Sequence, residues 1–259
     1  LHTRFHHALG ASHLMRQAIA VLRNKGISIS EAEAEAVTIA ILMHDIGHGP
    51  FSHALEHTII QEVSHETLSL LFMHRLNEHF DGRLTLAIAI FEGKYHKPFL
   101  HELVSSQLDM DRLDYLNRDS FFTGVQEGII GCDRIIQMLH VHNNHLVVEH
   151  KGIYSIEKFL IARRLMYWQV YLHHTVVSAE MMLVKVLQRA KYLLQVQKTS
   201  LPASATLLHF LGNNFTLNDF ETQETLLEQF ALLDDHDIYS ALKSWQNHDD
   251  FVLSFLAFA

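Results

Sequence analysis

The sequence predicts an all-α fold, and three observations carry that expectation. Only three prolines and eleven glycines interrupt 259 residues, so helices meet few breakers. Hydrophobic residues make up 48% of the chain and charged residues 19%, the balance of a chain that buries a core. Apolar residues recur at three- and four-residue spacing along most of the length, and one short stretch alone reads as β. The length suffices for one large core or two modest domains.

Taken in order, Arg4-Phe5-His6-His7-Ala8-Leu9-Gly10 leads into a helix ending near Asn24. Its apolar stripe reads as Leu14, Ala18, Val21 and Leu22, and Lys25-Gly26 stops it. Ser30 with Glu33 forms a capping box for a second helix. That helix runs through the apolar Val37–Met43, so it is expected to be central and buried, and it delivers His44 and Asp45 before Gly47, Gly49 and Pro50 break it. Ser64-His65-Glu66 opens an amphipathic helix, and Leu84–Phe91 reads as another, buried one. In Val104–Asp119, residues Val104, Leu108, Asp111 and Tyr115 share one helical face, while Asp109 and Asp114 are expected in solvent. Leu146–Glu149 and Ile153–Ile156, joined by His150-Lys151-Gly152, read as a β-hairpin. A long helix from about Ile156 to Leu194, bent or broken once, precedes a linker at Thr199–Ala205 and a tail of short helices.

A net charge of −9 argues against broad nucleic-acid or anionic-membrane binding. The single Cys132 excludes an internal disulfide and points to a reducing cytoplasm. Apolar runs fall short of a membrane span and no signal peptide precedes the first motif. The start at Leu1, almost inside a motif, leads us to expect residues upstream. Of the 22 histidines, His140, His142, His145, His209, His236 and His248 lack ligand spacing.

The informative stretch is His44-Asp45-Ile46-Gly47-His48-Gly49-Pro50-Phe51-Ser52-His53. Adjacent helical residues diverge by roughly 100°, so His44 and Asp45 share an ion only if it sits off the helix end. They need partners. His7, at the start of a helix, and Asp111, on an apolar face where an unpaired carboxylate is costly, are the candidates. Taken singly, Asp111 reads equally as half of a buried ion pair and His7 as a capping or core histidine. Together with His44 and Asp45 they read as a metal site.

The series Arg4…His7, His44-Asp45, Asp111 resembles the HD-domain phosphohydrolases. HDIGHGPFSH and DMDRLDYLNRD resemble the branch that contains the SAM-and-HD-domain dNTP triphosphohydrolase and its bacterial relatives, a resemblance running from Arg4 to about Glu180. It implies an HD-domain helical bundle over residues 1–198, with a small β-hairpin, followed by an incomplete helical C-terminal extension over residues 199–259. It implies that His7, His44, Asp45 and Asp111 hold one divalent transition metal, with Mn, Fe, Ni and Zn all compatible, and Mg accompanying the nucleotide as an option. Such an ion would polarise a phosphoryl oxygen and lower the pKa of water. His48, His53 and His65 match histidines beside the reacting phosphate, suited to acid–base work. Glu56 stands where the branch carries an aspartate supporting the catalytic histidine.

Arg4, Arg112 and Arg163 match phosphate-binding positions, Arg112 standing where lysine is common. Tyr115, Asp119 and Tyr171 match contacts to sugar and base, with Asp119 accepting from the 3′-hydroxyl. Core packing is the plainer reading of Tyr115 and Tyr171, and surface or ion-pair roles that of Arg118 and Arg164. The leading expectation is a cytoplasmic dNTP triphosphohydrolase that releases nucleoside and triphosphate. The alternatives are an HD phosphatase or phosphodiesterase on other phosphorylated nucleotides, or a non-catalytic metal-containing nucleotide sensor. The Gly-Tyr-Pro signature of the cyclic-dinucleotide branch is absent. The family and an apolar region at residues 155–195 suggest a homo-oligomer, which light scattering at micromolar concentration tests: a monomeric mass removes the idea.

Overall fold

The computed structural model describes residues 2–51, 58 and 63–258. Within them the chain is helical, as expected, with one two-stranded antiparallel ribbon. Its contacts divide into two units that interleave in sequence: Leu1–Asp45 with Met73–His173, and Ile46–Phe72 with His174–Ala259. The boundary expected at residue 199 lies inside the second unit.

In the first unit, α1 (Arg4–Asn24) starts at Thr3, whose hydroxyl and the His6 ring cap each other's backbone groups. Its buried stripe is Ala11, Met15, Ala18, Ile19 and Leu22, rotated from the expected one, because Leu14 and Val21 stay half-buried. Helix α2 (Glu31–Met43) opens on the Ser30–Glu33 capping box and packs against α1. Only one of its faces is buried, through Ala36, Val37, Ala40 and Ile41, and Leu42 is exposed. The uniformly apolar sequence suggested a wholly buried helix. Instead, the outer face lines a cavity of about 560 Å³ with Arg16, Arg23 and Thr38.

Helix α3 (His65–His79) spans residues of both units, and α4 (Thr85–Phe91) packs on α2 within the first. The expected helix across 104–119 is two helices, α5 (Pro98–Val104) and α6 (Met110–Thr123). The break has a local cause. Asp109 accepts from the N–H groups of Ser106 at 2.8 Å and Arg112 at 2.7 Å, so it caps α6.

Helix α7 (Cys132–Met138) leads into strand β1 (Leu139–His142), which pairs with β2 (His145–Val148). The expected strand at 146–149 thus exists largely as read, but its partner lies upstream. Asn143 and Asn144 both have positive φ (50° and 66°), which suits a two-residue turn whose twist matches the strands. Ile153–Ile156, expected as the second strand, begins α8 (Ile153–Met166). Short apolar runs are ambiguous between strand and helix, and here tertiary packing decided. A π-helical turn at Tyr167–Tyr171 then ends the first unit's helices, the single break expected in the long helix.

The second unit is built on α9 (His174–Gln195), α10 (Ala205–Gly212), α11 (Leu217–Thr222), α12 (Glu224–Ala231), α13 (Asp235–Trp245) and α14 (Phe251–Phe258). Leu187, Ala190 and Leu193 of α9 pack with Leu207, Phe210, Phe230, Ile238 and Trp245. Rings of Phe210, Phe215, Phe220 and Phe230 meet edge to face at 5.3–6.4 Å. The Trp245 ring is fully enclosed, and its Nε1–H donates to the Pro202 carbonyl at 3.0 Å. No described helix is long and apolar enough to cross a membrane.

One polar knot stabilises the first unit. Glu33 accepts from the Ser30 N–H at 2.8 Å, the Tyr95 hydroxyl at 2.7 Å and Lys97 at 2.8 Å. Burial opposes its ionisation, but these donors outweigh burial and hold the carboxyl down at about 2, from an ordinary 4.5. Because its folded value is depressed, the stability it contributes is complete above pH 4.5 and is lost as pH falls toward 2. Glu33→Ala removes a cap and leaves Lys97 without its carboxylate, so denaturant titration should read a loss of about 2–4 kcal/mol at pH 7. The difference between variant and wild type should shrink below pH 4.

Candidate metal centre

Three helices of the first unit meet at His7, His44 and Asp111. His7 lies in the first turn of α1, His44 caps the C-terminus of α2, and Asp111 sits in the first turn of α6. Asp111 Oδ1 is 3.0 Å from His7 Nε2 and 3.4 Å from His44 Nε2. Asp45 Oδ1 is 3.3 Å from His44 Nε2, and Asp45 Oδ2 is 3.4 Å from Arg4 Nη1. The helix ends at Met43, which frees Asp45 to turn toward the same side as His44.

Donor atoms of His7, His44 and Asp111 all lie within 4.8 Å of one another. Ligands held at about 2.1 Å around one ion are about 3.0–3.4 Å apart, from octahedral to tetrahedral geometry. The two His–Asp111 separations meet that requirement. The residues therefore fit a divalent transition metal in their chemistry and spacing. Each imidazole is also tied on its far side. His44 Nδ1 donates to the Ile41 carbonyl at 2.6 Å, and His7 Nδ1 lies 2.7 Å from Asp114 Oδ2.

Asp109 and Asp114, expected in solvent, are both buried. Asp109 caps α6 and grips the Arg112 guanidinium. Burial pushes its carboxyl up to about 6 even with that cation beside it. Asp114 binds Arg118 at 2.7 and 2.9 Å as well as His7. Helical spacing sets Asp109 and Asp114 apart from the face of Asp111, but α6 is covered on more than one face, so both are buried.

A second cluster of the same unit continues along α6. Tyr115 and Asp119 follow Asp111 at four and eight residues, the spacing that keeps them on one face. The Tyr171 hydroxyl donates to Asp119 Oδ2 at 2.8 Å, and the Tyr171 ring lies 6.0 Å from Tyr115 and 5.2 Å from Tyr167. Burial and Asp119 push the Tyr171 hydroxyl far above its ordinary range. Arg163 sits 6.0 Å over the Tyr167 ring and donates to Gln107 at 3.1 Å. Arg164 instead stacks at 4.3 Å on the exposed Trp168.

His48 and His65 belong to the second unit, where their rings stack at 3.8 Å and 13°. Gly47 is required there, because a Cβ would come within 2.2 Å of Ser69 N and 2.4 Å of His65 O. The sequence offered Gly47 only as a helix breaker. His53 and Glu56 lie outside the described residues.

A helical unit that gathers His7, His44 and Asp111 from the ends of three helices, with Asp45 beside His44, has the ligand chemistry of a His-Asp metal site. Residues 4–119 match the HD domain and residues 130–204 the HD associated region, so the chain carries an HD domain followed by its associated region. The uncharacterized protein YwfO of Bacillus subtilis is 30% identical over 261 residues, 98% of this chain and 57% of that protein. The deoxynucleoside triphosphate triphosphohydrolase SAMHD1 homolog of Dictyostelium discoideum is 29% identical over 215 residues, 75% of this chain and 41% of that protein. A phosphohydrolase from Bacteroides thetaiotaomicron has a TM-score of 0.96 at 59% identity, covering 99% of this chain and 64% of the solved one. The chain spans less than two thirds of the length of each.

The cluster has a measurable protonic signature. Burial opposes the charged form of His7, but hydrogen bonds with Asp111 and Asp114 outweigh it and raise the imidazole to about 9, from 6.5. A raised value means that the stabilisation is complete below pH 6.5 and is lost as pH climbs through 9. Thermal unfolding of metal-free protein should show Tm declining across that window. Metal uptake at pH 7 must displace a proton from His7, so its calorimetric enthalpy should change with the ionisation heat of the buffer. A buffer-independent enthalpy counts against His7 as a ligand.

Proposed function

We propose that the protein is a metal-dependent phosphohydrolase acting on nucleotides. A deoxynucleoside triphosphate is the leading substrate, cut at the α-phosphate to nucleoside and inorganic triphosphate. The observation that carries this reading is the layout of α6. Asp111, in the metal cluster, and Asp119, hydrogen-bonded to Tyr171, lie on one face with Tyr115 between them. Eight residues of helix span about 12 Å, which leaves room for a phosphate at one end and a sugar at the other. Asp119, an acceptor already holding a hydroxyl, suits a sugar hydroxyl in the place of Tyr171.

We assign His7, His44, Asp45 and Asp111 to the metal. When bound, a divalent transition-metal ion supplies Lewis acidity toward a phosphoryl oxygen and acidifies water. Arg4 and Arg163 are assigned to the phosphates, and Tyr115, Asp119 and Tyr171 to the nucleoside. Proton transfer is assigned to His48 and His65, and by family resemblance to His53 supported by Glu56. Similarity to the Dictyostelium triphosphohydrolase homolog supports the substrate class, across 75% of this chain.

A phosphatase or phosphodiesterase is the second reading, favoured by one observation. Arg112, a candidate phosphate contact, is engaged by Asp109, leaving fewer cations for a triphosphate. Exposed Leu160, Ile161 and Trp168 in the first unit support a homo-oligomer as part of the proposal.

Incubating Mn- or Fe-loaded protein with each dNTP and rNTP, then separating the products by ion exchange, tests the reading. Inorganic triphosphate is the expected product, and orthophosphate alone selects the phosphatase. No turnover with metal bound leaves a missing activator or segment and the sensor, and nucleotide-dependent stabilisation compared between wild type and Asp111→Ala decides between them. His48→Ala and His65→Ala should each lower kcat by about 10²–10⁴-fold while metal content is retained.

A further inference from the structure

The two imidazoles of the metal cluster are oriented by unlike partners. For His44 the partner is a backbone carbonyl, that of Ile41, which can only accept. For His7 it is a side chain, Asp114, reached across 107 residues of sequence from α6 to α1. We propose that Asp114 is the positioning residue of the metal centre, fixing the tautomer and ring angle of His7 so that Nε2 faces the ion. The inference rests on the metal-centre reading above.

Asp114 Oδ2 takes both His7 Nδ1 at 2.7 Å and Arg118 Nε at 2.7 Å, while Oδ1 takes Arg118 Nη2 at 2.9 Å. A carboxylate held bidentately by a guanidinium is ionised and can only accept. Nδ1 must therefore be the donor, and Nε2, 3.0 Å from Asp111, is left as the ligand atom. Arg118 in turn sets the Asp114 plane from one turn further along α6. The arrangement needs close approach of α1 and α6, which Gly10 allows. A Cβ there would stand 2.0 Å from Asp114 Oδ1 and 2.2 Å from Arg118 Nη2. A carboxylate placed only to balance Arg118 would not require the short bond to His7, nor a glycine on the facing helix.

Two measurements test this. Zn²⁺ affinity is measured by competition titration on wild type, Asp114→Asn and Gly10→Ala, with helicity followed by circular dichroism. Both variants should keep their helicity and bind Zn²⁺ about 10–100-fold more weakly, the usual cost of removing an outer partner of a ligating histidine. Zinc affinity of folded Asp114→Asn within about threefold of wild type overturns the proposal, since it then acts only on Arg118. The second measurement needs no variant. ¹⁵N NMR of histidine-labelled, Zn²⁺-loaded wild type should report His7 with its proton on Nδ1. A proton on Nε2, or no Zn²⁺ binding by wild type, overturns the proposal. Weakened Zn²⁺ binding in the variants with no hydrolysis by wild type overturns the phosphohydrolase reading and leaves this one standing.

Discussion

The carboxylate of Asp111 is the point on which the first unit's organisation depends. It is largely buried, and desolvation works against its charge, yet His7 and His44 hold it well below the ordinary carboxylate range. Neither imidazole comes from its own helix. Bringing α1, α2 and α6 together is what makes a charged aspartate tolerable inside the fold, and the same convergence puts three donor atoms at ligand spacing. The arrangement that compensates the charge is the same one whose donor spacing suits a metal ion.

That arrangement is supported from behind by groups whose roles are structural and chemical at once. Asp109 starts α6 in the right place by capping it, so that Asp111 falls in the first turn. A carboxylate there is further favoured by the helix dipole. Ile41 and Asp114 hold the far sides of the two imidazoles. The Ser30–Glu33–Lys97–Tyr95 knot anchors the start of α2, whose other end delivers His44 and Asp45. Stability and site geometry are therefore coupled along the helices rather than confined to the cluster.

Where expectation and structure part, the causes are specific. The helix expected across 104–119 breaks because Asp109 competes for backbone N–H groups, a local signal present in the sequence but outweighed by the apolar periodicity. The hairpin takes Asn143-Asn144 as its turn, and Gly152 instead gives close approach to Met138 and Val148, whose side chains a Cβ would meet at 2.8 Å. Arg112, matched by resemblance to a phosphate-binding position, is engaged by its neighbour three residues back. Asp114 was read as solvated because helical spacing says which residues share a face, not how many faces are covered.

What the sequence by itself determined is local or chemical. Thr3, Ser30 with Glu33, and Gly26 set helix ends through bonds within a few residues, and the all-α class follows from helical periodicity with few breakers. The identity of His7, His44, Asp45 and Asp111 as ligand candidates follows from how costly such groups are in a core without a partner. Only the tertiary structure decided which groups answer them. The bonds of His7 to Asp111 and Asp114 close loops of more than a hundred residues, and Tyr171 meets Asp119 across 52. It also decided that Ile46–Phe72 joins the C-terminal helices in a second unit. Hydrogen bonds of that separation depend on how helices pack, and packing is set by the whole set of buried faces, which no single stretch of sequence encodes.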